Sequence, residues 1–131
     1  MAAATQTNRV GKITTALGAD ALLLETFTVT ERLSTPFEVV VEVLSEQVVD
    51  FVQNLGTGVS LETAGDEYQA RKFHGLLYEA EAMGVAETFY RYRLKLRPKL
   101  YLLTHGRNSR IFQKKSAKDI ISAVLNENGL T

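Results

Sequence analysis

Residues 88–98 read TFYRYRLKLRP, and this stretch decides the fold. Tyr90, Tyr92, Leu94 and Leu96 fall on one side of a two-residue period. Arg91, Arg93, Lys95 and Arg97 fall on the other, and Lys99 continues the basic row. Such alternation marks a strand with one face in a core and one in solvent. Pro98 ends it, because its ring removes a backbone donor. Tyr68 to Ala80 is the expected hairpin partner, with the joining loop placed around Gly84.

Working outward, the same period recurs. Phe37, Val39, Val41 and Val43 share one face of a predicted strand, and Glu38, Val40, Glu42 and Leu44 share the other. Leu22 to Thr30 predicts the strand before it, separated by the breaker Ser34-Thr35-Pro36. Val59 to Thr63 predicts another, turned by Ala64-Gly65-Asp66. Between these, Val48, Phe51, Val52 and Leu55 have helical spacing, which predicts a small inserted helix ended by Gly56 and Gly58. After Pro98, Lys99 to Thr104 predicts a short helix stopped at Gly106. Ser116, with Asp119 three residues on, caps a final helix. Ile120, Ile121, Val124 and Leu125 give that helix an apolar face, and Gly129 ends it.

No strand alternates with a helix in the βαβ manner. The expected fold is therefore mainly β (α+β): an antiparallel barrel with a small inserted helix and C-terminal helices. Residues 1–9, rich in alanine, read as a flexible tail. Residues 10–131 read as one barrel domain ending in the start of a helical segment.

Composition narrows the function. Hydrophobic residues make up 45% and charged residues 23% of the 131 positions, as in an ordinary globular domain. The absence of cysteine excludes disulfides and thiolate metal sites. No apolar run approaches the ~20 residues that span a bilayer. The start lacks the basic-then-apolar pattern of a signal peptide. Net charge is zero, but residues 1–67 carry 3 basic and 10 acidic side chains while residues 68–131 carry 12 and 5.

The sequence offers little for catalysis. His74 and His105 stand alone, whereas a metal site needs three or four ligands. Glu79 and Glu81 share a strand face, but Arg91, Arg93 and Lys95 on the next strand make cross-strand ion pairs the simpler reading. Neither a nucleophile elbow nor a P-loop is present. The row from Arg91 to Lys99 raises one rival, a nucleic-acid-binding barrel. Against it, Tyr90 and Tyr92 point away from the charges, and Glu38 and Glu42 are ready partners. The expectation is no enzyme, no cofactor, no small-molecule substrate and no nucleic acid.

Two stretches carry a resemblance. Phe27 to Phe37 reads FTVTERLSTPF, with Leu33, Ser34 and Pro36 before Phe37. Further on come Phe73 and Gly75, then Tyr92, Leu94, Leu96 and Pro98, and then Ser109, Arg110, Ile111, Phe112 and Gln113 (SRIFQ), followed by Ser116, Asp119 and Ile120. Together they resemble the N-terminal region of VgrG-type spike proteins of type VI secretion and the related phage baseplate hub proteins. The resemblance covers about residues 10–129. It implies a hub domain at the base of a puncturing spike, joined to a hexameric tube protein and to baseplate proteins, and a homotrimer in the full-length protein. It also implies assembly in the bacterial cytoplasm and export through the apparatus without a signal peptide. Family members are much longer, so the chain is expected to be either one part of such a protein or a truncated gene product, and to be monomeric or weakly associated alone. A phage tail hub shares these motifs. Among the matched residues, Phe27, Phe37, Phe73, Leu94 and Leu96 are core candidates. Phe112 is expected to anchor its segment by burial, contributing about 2 kcal/mol. Arg110 reads either as a bridge from barrel to helix or as an exposed arginine on a turn.

Overall fold

A computed structural model describes residues 3–65 and 68–130. The chain divides after Pro98 into two compact units. The first holds six antiparallel strands: β1 (Gly11–Thr14), β2 (Leu23–Arg32), β3 (Thr35–Ser45), β4 (Gly58–Gly65), β5 (Tyr68–Ala86) and β6 (Phe89–Arg97). They form one sheet in the order β1-β4-β5-β6-β3-β2. The sheet curls into a half-barrel.

The core follows from alternation. Val39, Val41 and Val43 of β3 are fully buried, and they pair with Leu96, Leu94 and Tyr92 of β6. Each such aliphatic side chain contributes roughly 1.5–3 kcal/mol when removed from water. Leu61 and Val59 of β4, Leu77 of β5 and Ile13 of β1 complete the apolar interior. Phe27, Phe37 and Phe73 pack against it while partly buried, with the Phe27 and Phe73 ring centroids 5.9 Å apart.

Three expectations change. The loop placed at Gly84 is strand: β5 runs on to Ala86, and the turn is Glu87-Thr88. Gly84 instead sits at a register shift after Ala82 with φ +100°, a bulge conformation that glycine adopts without strain. The helix expected over Val48–Leu55 shrinks to a 3-10 turn, Val52–Asn54. Two local effects explain this. Asp50 Oδ1 accepts the Val52 N–H at 3.0 Å, drawing the backbone into a local turn. Phe51 turns into the core, where its ring meets Tyr92 edge-on at 5.0 Å. Finally, the tail expected over residues 1–9 contains Gln6, which is only 5% exposed. The turn expected at Ala64-Gly65-Asp66 runs into residues 66 and 67, outside the described residues.

The second unit begins with a 3-10 helix, Lys99–His105, and ends with α1, Ala117–Glu127. The Ser116 hydroxyl accepts the Asp119 N–H at 3.2 Å, and the Asp119 carboxylate accepts the Ser116 N–H at 3.4 Å. This is the expected reciprocal cap. At the other end Gly129 takes φ +68°. The Gly129 N–H donates to Asn126 and the Leu130 N–H to Leu125, closing the helix in the left-handed manner the glycine predicts.

Candidate functional site

The basic row and the SRIFQ motif lie on the outer face of β6 and in the segment before α1. On β6, alternation turns Arg91, Arg93, Lys95 and Arg97 outward. Each meets a carboxylate from another strand of the sheet. Arg93 lies between Glu42 of β3 (3.2 Å) and Glu81 of β5 (3.6 Å). Lys95 meets Glu79 of β5 at 3.2 Å, and Arg97 pairs with Glu38 of β3. Arg91 reaches past β3 to Glu25 of β2 at 2.9 Å. Glu25 is the extra residue at the register shift between Leu24 and Thr26, and the bulge turns its side chain across the face.

The result is a ladder of ion pairs across four strands. The partners Glu38, Glu42, Glu79 and Glu81 were legible in the sequence. Glu25 was not, because a bulge leaves no trace in a two-residue period. The basic row also ends earlier than expected. Pro98 interrupts it, and Lys99 belongs to the 3-10 helix, where its Nζ donates to the Gly129 carbonyl at 3.0 Å. The opposite face of β6 offers no stacking platform. Tyr92 is buried, and its hydroxyl accepts the Val49 N–H at 3.0 Å. The β6 cations are thus paired with carboxylates on one face, and Tyr92 is turned into the core on the other.

The remaining motif residues of the first unit serve turns and packing. Leu33 is 96% exposed at the β2–β3 turn, and Ser34 there has φ +58°. Pro36 opens β3. Gly75 is buried on β5 beside the end of β6: an added Cβ would lie 3.1 Å from Leu96 Cβ and 3.2 Å from the Arg97 carbonyl oxygen. His74 Nδ1 shares a hydrogen bond with Ser60 Oγ at 2.8 Å on the exposed side of β5.

In the second unit, Ser109 to Gln113 form an irregular segment before α1. The Arg110 guanidinium grips Glu127 of α1 through two nitrogens, with Nη2 to Oε1 at 3.0 Å. That hydrogen bond, with the opposite charge, raises the Arg110 pKa and holds Glu127 below the usual carboxylate range. Arg110 thus joins its segment to the helix of its own unit. Phe112 is half-buried, not fully buried. Its ring carries Arg110 and Lys115 at 5.1 and 5.8 Å from its centroid. Gln113 is exposed, Ile120 is half-buried, and Ile111 is 89% exposed. His105 sits edge-on to Tyr101 at 6.0 Å.

Known proteins resemble this arrangement. A family model described as phage tail baseplate hub (GPD) matches residues 30–131. The chain is 33% identical over its whole length to the type VI secretion system spike protein VgrG1b of Pseudomonas aeruginosa, and 31% identical over 96% of its length to VgrG1a of that organism. It spans 18% and 20% of those two proteins. Among solved structures it matches the E. coli c3393 protein with a TM-score of 0.74 at 23% identity, over 92% of this chain and 32% of that one. That protein is described as a type VI secretion component with structural similarity to the T4 bacteriophage tail proteins gp27 and gp5.

Proposed function

Because the chain belongs to the phage tail baseplate hub (GPD) family, we propose that it is a structural hub module of a type VI secretion spike, one part of a longer protein that trimerises and seats on a hexameric tube protein and its baseplate. The observation that carries this reading is the whole-length similarity to the VgrG1b spike protein. The geometry is in keeping with a mechanical part. A curled sheet with an apolar core, its outer charges paired across four strands, suits a part that bears load. In this reading the work is assembly and not catalysis, and no nucleic acid or small-molecule substrate is engaged. The protein is put together in the bacterial cytoplasm and leaves through the apparatus itself.

A pull-down of the chain against the hexameric tube protein, run beside a single-stranded oligonucleotide at low and physiological salt, tests this. Capture of the tube protein supports the hub reading. Salt-sensitive capture of the oligonucleotide alone contradicts it, and would mean that the β6 ladder opens to phosphates. A phage tail hub is the second reading, favoured by the family's own description. Neighbouring genes for a contractile secretion apparatus or for a phage genome separate the two.

A further inference from the structure

The sheet does not close on itself. β1 and β2 are its two edges, and among the described residues they form no ladder with each other. Yet they approach closely: a Cβ added to Gly11 of β1 would lie 2.8 Å from Leu24 Cδ2 of β2. Each edge strand has a ladder on one side, to β4 and to β3, so backbone groups on its other side need partners from elsewhere.

Residues 4–9 supply the missing partners from side chains. Gln6 Oε1 accepts the Ile13 N–H of β1 at 2.9 Å and the Leu24 N–H of β2 at 3.3 Å. Gln6 Nε2 donates to the Ile13 carbonyl at 3.0 Å. Arg9 Nη1 donates to the Leu24 carbonyl at 3.0 Å. One amide and one guanidinium thus take the bonds that a strand would take. The segment is itself tied down, since the Gln6 N–H donates to Asp20 Oδ1 and the Ala4 N–H to Glu46 Oε1, both at 2.9 Å.

We propose that residues 4–9 are a latch on the seam of the half-barrel, and that the seam opens by release of this latch while the six-stranded sheet stays intact. No strand pairing has to break for this to happen: among the described residues the two edges meet through the latch side chains and through the packing of Leu24 against Gly11. Release bares the β1 and β2 edges together.

Hydrogen exchange of backbone amides in the parent, Gln6→Met and Arg9→Ala proteins tests the latch. Met keeps most of the apolar bulk of Gln6 but neither accepts the Ile13 and Leu24 amides nor donates to Ile13. The expected result is exchange at least about tenfold faster at Ile13 and Leu24, the scale set by losing a buried hydrogen bond. The amides of Val41 and Leu94, in the middle of the sheet, keep their rates. Arg9 is exposed, so Arg9→Ala leaves the core packed. It should speed Leu24 in the same direction, and it decides the matter if Gln6→Met does not fold. The latch is overturned if Ile13 and Leu24 keep parental rates in the folded variants, or if they accelerate only together with Val41 and Leu94.

Discussion

A methyl group on Gly75 would have to fit 3.1 Å from Leu96 Cβ and 3.2 Å from the Arg97 carbonyl oxygen, closer than such atoms rest. Neither neighbour is a flexible tip, since one is a fully buried leucine and the other is strand backbone. Gly75→Ala is therefore expected to destabilise the sheet by about 1–3 kcal/mol, as overpacking does, measured by urea unfolding. Leu94→Ala, which removes a fully buried side chain, should cost more, about 2–5 kcal/mol. Phe112 belongs at the other end of the scale. Half-buried and flanked by two cations, it holds its segment through partial burial and cation–π contact, each of modest size. An unchanged melting temperature for Leu94→Ala would refute the core described here.

Among elements, β6 and α1 were the most legible in the sequence, for different reasons. β6 is a central strand with one buried face, so its period survives intact in TFYRYRLKLRP. α1 carries its own start and stop, Ser116 with Asp119 and then Gly129, and needs no tertiary contact to be read. The elements that were misread are those where local chemistry overrides period. Asp50 and Phe51 dissolve the expected helix. Gly84 serves a bulge inside a strand, not a loop. Gln6 looks like any polar tail residue, because its two partners lie 7 and 18 residues away.

Two predictions follow from these elements. Ser116→Ala removes the acceptor for the Asp119 N–H and should weaken α1 by about 1 kcal/mol, seen as loss of helical circular dichroism on heating. The Arg110–Glu127 pair has a defined pH window. Glu127 titrates below its unfolded value, so its contribution is fully present above the unfolded pKa of about 4.3 and is lost as pH falls through the lower folded one. Arg110, raised still further, stays charged throughout. Glu127→Gln should therefore weaken the attachment of the Arg110 segment near neutrality and make no difference in strong acid, as measured by the melting temperature across pH.

For the whole molecule, zero net charge conceals an acidic first half and a basic second half. Within the sheet part of that asymmetry is matched: basic β6 meets Glu25, Glu38 and Glu42 of the first half, along with Glu79 and Glu81 of β5. Arg93→Ala would leave Glu42 and Glu81 without their shared cation. The expected loss is about 1 kcal/mol at low salt, shrinking as salt screens the pair of carboxylates. The sequence motifs placed the chain in its family, while the ladder's reach to Glu25 and the seam required the fold. Since the chain spans about a fifth of the spike proteins it resembles, it is expected to stay monomeric or weakly associated alone. Sedimentation at several concentrations reads this, and a trimer that persists on dilution would contradict it.

The hub reading is tested most directly by exchange. The matching N-terminal segment of a full-length VgrG1b spike protein is replaced by this chain, and export of the spike from cells is measured, with the chimera's trimeric mass as control. Export at a level approaching the parent is the predicted result. A chimera that folds and trimerises but is never exported would contradict the claim that this module does a hub's work.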